Sequence, residues 1–201
     1  MTSAAEPAAV DRSDIRTIVG GGAQLGGITV VGVVVFALLS RMMVGAVETV
    51  VQTALVTAGV AVFAYFPARR VRPTGVDGIG WTAMLGLMGS LFFTVVDTAL
   101  LRPFKLYHWT WDQIGGGSGF WYVPVWWMGS ATLAWLGGWV WARAAGQGMG
   151  ARAGQTVGFG LVLLAIIVFT GILPFHAGTA ALAVTLGLVA TVPVAGPARG
   201  A

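Results

Sequence analysis

Residues 79–101 read IGWTAMLGLMGSLFFTVVDTALL, a run whose only ionisable side chain is Asp97. A helix needs ~20 predominantly apolar residues to cross ~30 Å of hydrocarbon, and this stretch meets that length. Five further stretches read the same way, at 18–39, 45–66, 120–141, 156–173 and 177–194. Charges or helix breakers separate them: Ser40-Arg41, Pro67 with Arg69, Arg70 and Arg72, Arg102-Pro103, the Gly115–Gly119 run, Arg143 to Arg152, and Pro174. The expected fold class is all-α, a polytopic transmembrane helical bundle of about six spans, with short tails at 1–17 and 195–201. The last boundary is open. Pro174-Phe175-His176 reads as a turn or as a kink, and a kink would leave five spans and move the C-terminus to the other side.

Composition supports the same solvent. The 201 residues are 57% apolar and only 9% charged, and the mean hydropathy is +0.85, too apolar for a water-soluble monomer. A soluble enzyme and a nucleic-acid-binding domain are excluded on these grounds: the net charge is only +4, and its placement follows membrane topology rather than a phosphate-binding face. The chain has no cysteine, which removes disulfides, thiolate metal sites and cysteine nucleophiles together. Its first sixteen residues lack the basic-then-apolar order of a cleavable signal peptide.

Basic flanks resist translocation, so Lys and Arg set the orientation. With the N-terminus inside, Arg12, Arg16, Arg69, Arg70, Arg72, Arg143, Arg152 and Arg199 fall on the cytoplasmic side, against Arg41, Arg102 and Lys105 outside. Both termini are expected in the cytoplasm, in a bacterial-type inner membrane. The 102–119 loop, RPFKLYHWTWDQIGGGSG, is then the sizeable outer segment.

Helices in lipid associate through close backbone approach at small residues. Such residues recur at four-residue spacing in four spans: Gly22 and Gly26; Gly86, Ser90 and Thr94; Ser130, Ala134 and Gly138; Ala183, Gly187 and Thr191. Each set marks an expected packing face. The fourth span also carries Trp121, Trp126, Trp127, Trp135, Trp139 and Trp141. Indoles at the span ends suit the headgroup interface. Trp135 lies deeper, and with Trp127 it is expected to pack on a neighbouring glycine face or to line a site for a flat hydrophobic ligand such as a quinone, carotenoid or chlorin.

Ionisable groups inside spans point to function by default. Glu48 opens the second span, with Gln52 one turn on, and Asp97 sits about one turn from the outer end of the third. Two ordinary pairings compete with a functional role, Asp97 with Arg102 or Lys105 and Glu48 with Arg41. The functional readings are an acid-base pocket built on Glu48 or Asp97, and a metal site drawn from Asp97, His108, Asp112 and His176. Trp109 and Trp111 in the outer loop fit membrane anchoring, a lid over that pocket, or a docking surface.

Three function classes follow. An accessory or structural subunit of a larger membrane complex, energy-converting or pigment-bearing, would use its apolar spans and the tryptophan-rich fourth as surfaces for other membrane subunits, pigments or lipid. An intramembrane enzyme acting on an isoprenoid or lipid would use Glu48 or Asp97 as general acid or base under an aromatic roof. A small transporter would need a polar path at mid-depth, and the first, fifth and sixth spans offer almost nothing polar there.

Overall fold

A computed structural model describes residues 14–104, 106, 122–143 and 149–194. All secondary structure among the described residues is helical, in six helices: α1 (Arg16–Met42), α2 (Ala46–Val71), α3 (Val76–Leu101), α4 (Tyr122–Arg143), α5 (Met149–Phe169) and α6 (Ala177–Val194). The first turn of α1, Arg16–Gly20, and the last of α3, Asp97–Leu101, are wound as π turns. Four helices are long and apolar enough to cross a membrane: α1, α2, α3 and the Ala151–Phe169 part of α5. This is a membrane protein by length and composition. In α4 the indoles and glycines dilute the apolar character, and α6 is the shortest of the six.

The helix ends have local causes. Asp14 starts α1: its carboxylate accepts from the Thr17 amide at 3.0 Å and the Thr17 hydroxyl at 2.7 Å, the arrangement of an N-cap. The hydrogen bonds within the carboxylate's reach, first that of the Thr17 hydroxyl, hold the Asp14 pKa below its ordinary 3.8. Gly171 closes α5 at φ 72°, a left-handed conformation that glycine adopts without a side-chain clash. The expected break at Pro67 is absent, because α2 runs through Pro67 to Val71. One missing backbone donor is tolerated where neighbouring helices pack around it, and Pro67 is fully buried. The helix ends instead at Arg72 in the left-handed conformation, with Pro73 next. Pro174 lies in the turn between α5 and α6, so the open boundary resolves as two helices rather than one kinked helix.

All four small-residue stripes are helix-helix seams. On α1, a side chain added at Gly22 would strike Met88 and one at Gly26 would strike Phe92 and the Gly89 carbonyl of α3. Gly86 of α3 meets Ser130 and Ala134 of α4, while Gly138 of α4 meets Thr82. Gly187 of α6 rides on Thr156 and Gly160 of α5. The tightest approach joins α2 and α4: a Cβ on Gly137 would run into the Ala64 carbonyl oxygen. Seams at residues 82 with 138 and 86 with 134, and at 156 with 191 and 160 with 187, run in opposite directions, so successive helices alternate up and down. α2 is the hub and packs against each of the others.

Candidate functional site

Alternation gathers the polar side chains at two ends of the bundle. One end combines the last turn of α1, the first of α2 and the last of α3. Glu48 stands in the first turn of α2, where the positive end of the helix dipole favours an acid. Gln52, one turn on, donates from Nε2 to Glu48 Oε1 at 2.8 Å and to Ser40 Oγ at 2.9 Å. The three residues tie α1 to α2 across the short 43–45 link. The Arg41 guanidinium donates to the Leu106 carbonyl at 2.6 Å, binding the same end of α1 to the chain beyond α3.

Asp97 is 2% exposed and takes its place in the π turn. A π turn's i→i+5 bonding places residues 97 and 102 one turn apart, seen in the 2.9 Å bond from the Arg102 amide to the Asp97 carbonyl. The same spacing brings Arg102 Nε to 3.2 Å from Asp97 Oδ2. Of the ordinary pairings, Asp97 with Arg102 is therefore formed, and Glu48 is held by Gln52. Above this, Trp127 Nε1 donates to Thr94 Oγ1 at 3.2 Å, joining α4 to the Ser90–Thr94 face of α3.

His176 is occupied locally. Its Nδ1 accepts from the Gly178 and Thr179 amides at 3.0 and 3.2 Å, which caps the first turn of α6. Among the described residues no group of three or more His, Asp or Glu side chains could hold a metal ion. His108, Asp112, Trp109 and Trp111 lie outside the described residues, so the metal and lid expectations that use them have no geometry here.

Trp135 departs from the packing expectation made for it. It is 43% exposed on the outer surface of α4, rather than packed on a neighbour's glycines. The reason is that α4 spends its own small residues, Ser130, Ala134, Gly137 and Gly138, on α2 and α3, and the face opposite that seam points outward. Trp139 lies beside Trp135 at a 5.8 Å centroid distance, edge to face, and Met128 and Trp126 are exposed along the same helix.

The other end of the bundle holds a polar group that sequence reasoning missed. Tyr65 of α2 is buried, and its hydroxyl is hydrogen-bonded to Thr156 Oγ1 and lies 3.5 Å from the Arg152 carbonyl. Thr156 Oγ1 is 3.1 Å from Thr191 Oγ1, so the hydroxyls form a chain from α2 through α5 to α6. Arg152 was expected in a cytoplasmic loop, yet it is in the first turn of α5 and only 5% exposed. Its Nη1 donates to Gln155 Oε1 at 2.8 Å, while its Nε is buried with no hydrogen-bond partner among the described residues. The Arg152–Gln155–Thr156 spacing at i, i+3 and i+4 was the available signal that this segment is helical. Arg143, at the end of α4, stacks over Trp139 at 4.5 Å, and its Nε is likewise buried without a partner among the described residues. Arg70 is bonded to Gln24 of α1 and lies over Phe66.

The chain matches no family model, no curated protein and no solved structure.

Proposed function

We propose that this chain is a six-span protein of a bacterial-type cytoplasmic membrane, both termini inside, acting as a non-catalytic accessory subunit of a larger membrane complex. The observation that carries this reading is Trp135. It lies 13 residues beyond the start of the 22-residue α4, a helix ~33 Å long, so it sits near mid-depth. Interfacial preference accounts for indoles at the ends of a span, not for one exposed at its middle. An exposed indole there suits contact with another membrane subunit or with a flat hydrophobic cofactor held between the two. Large aromatic side chains are what buried interface centres favour. The acids, meanwhile, are held by neighbours, Asp97 by Arg102 and Glu48 by Gln52.

Native mass spectrometry of the tagged chain, extracted gently from its own membrane, tests this directly. Stoichiometric foreign subunits that are lost on Trp135→Ala support it. A lone chain, or a complex unchanged by Trp135→Ala and Met128→Ala together, refutes it.

Asp97 favours a second reading, an intramembrane enzyme acting on an isoprenoid or lipid. A buried carboxylate on a π turn is the kind of local irregularity that recurs at functional sites. Here Asp97→Asn should abolish turnover while leaving insertion intact, and retained turnover ends the reading.

A further inference from the structure

The hydroxyl and arginine group at the Tyr65 end has an electrostatic imbalance that the fold itself does not resolve. Arg152 is 5% exposed, and the Nε of both Arg152 and Arg143 is buried with no hydrogen-bond partner among the described residues. A buried guanidinium normally has its donors satisfied, because desolvating a charged donor without an acceptor is unfavourable. The position adds to the problem. Arg152 stands in the first turn of α5, a turn with no acid in it, where the positive end of a 21-residue helix repels a cation and attracts an anion. Ala153, next to Arg152, packs against the core cluster that contains Tyr65, so Arg152 stands at the edge of that cluster.

We infer that this end of the bundle is a binding site for a phosphate oxyanion, to which Arg152 donates from the first turn of α5. Arginine suits that role through its planar array of donors. Arg152 lies one residue inside the apolar stretch that begins at Ala151, the depth at which the phosphodiester of an anionic phospholipid sits against basic pockets between helices. Soluble phosphate carries the same chemistry. The Tyr65–Thr156–Thr191 chain braces the α5 turn that presents Arg152, through the Tyr65 contact with the Arg152 carbonyl. The inference concerns the isolated chain and stands or falls apart from the accessory-subunit reading.

The test uses the full chain, delipidated in a neutral detergent. Its thermal stability is measured in vesicles of phosphatidylcholine alone, of phosphatidylcholine with phosphatidylglycerol, and of phosphatidylcholine alone with added inorganic phosphate. Lipid retained by the protein is counted by native mass spectrometry. Stabilisation by phosphatidylglycerol with retained lipid assigns the headgroup, and equal stabilisation by inorganic phosphate assigns a soluble ligand. Arg152→Gln should weaken the effective anion by about tenfold, and Arg152→Lys, which keeps the charge but lacks the Nε donor, serves the same purpose if the first variant does not insert. Arg69→Gln, an exposed arginine at the same end, should leave it nearly unchanged. Stabilisation by neither anion overturns the inference. So does an equal loss in Arg69→Gln, which would mean a diffuse surface potential rather than a site.

Discussion

The two ends of this bundle handle charge in opposite ways. At the Asp97 end, acids and bases are matched at short range: Asp97 meets Arg102, Gln52 bridges Glu48 and Ser40, and Arg41 reaches the Leu106 carbonyl. At the Tyr65 end, neutral hydroxyls are matched to one another while Arg143 and Arg152 each keep a buried Nε without a partner among the described residues. Among the described residues, the charged side chains of the first end have partners and only the Thr53 hydroxyl is buried without one, whereas the second end leaves two guanidinium donors unmatched. The contrast explains why the acids that first invite a catalytic reading are the less open of the two sets.

The comparison is broken most completely at the seam that holds both ends in place. Gly137→Ala would drive a methyl into the Ala64 carbonyl, and backbone cannot step aside as a flexible side chain can. The expected outcome is a loss of ~3 kcal/mol or failure to accumulate in the membrane, read by expression level and by thermal unfolding in detergent. Gly27→Ala, with open space around it, should be silent in the same assays.

A sharper contrast comes from neutralising one arginine at each end. Arg102→Gln leaves the buried Asp97 without its guanidinium, and because Arg102 is 22% exposed the expected loss is about 2 kcal/mol, below that of a fully buried pair. Arg152→Gln in anion-free detergent should change stability by no more than ~1 kcal/mol, because it removes a charge with no counter-ion among the described residues. Equal losses from the two variants, measured by denaturant or thermal unfolding, would erase the distinction drawn above.

Smaller effects sharpen the hydroxyl chain and the first helix turn. Thr156→Val keeps shape but removes the hydroxyl shared by Tyr65 and Thr191, for an expected ~1–2 kcal/mol. Tyr65→Phe in the same background should then add little, since the two changes act on one network. At the start of α1, the Asp14 pKa is depressed, so its contribution is present above the unfolded value of 3.8 and disappears as pH falls through the lower folded value. Amide exchange at Thr17 should accelerate over that acid window, and Asp14→Ala should show the faster exchange already at neutral pH.

Much of the helical layout was legible from hydropathy and punctuation. Four of the six expected spans, 18–39, 79–101, 120–141 and 177–194, lie within three residues of the observed helices at both ends, and 177–194 coincides with Ala177–Val194. The small-residue stripes were legible as well, because a four-residue repeat of Gly, Ala, Ser and Thr has few uses in lipid other than close packing. What failed were the two places where a breaker or a charge was read as an end. Pro67 is held inside α2 and Arg152 inside α5 because tertiary neighbours surround them, a condition that no local rule encodes. The packing expectation for Trp135 failed for a related reason: spacing reveals which residues share a face, but not whether that face meets a neighbour or the surroundings.

The sequence by itself determined that this is an apolar, helical, membrane-compatible chain, since hydrophobic run length and helix breakers act locally and read out in order along it. Only the tertiary structure decided which charges meet. Asp97 and Arg102 are joined by a π turn that residue type does not announce, and Tyr65, Arg152, Thr156 and Thr191 come from three helices. Pairing is set by the rotation and register of packed helices, and those are fixed by contacts between residues distant in the chain.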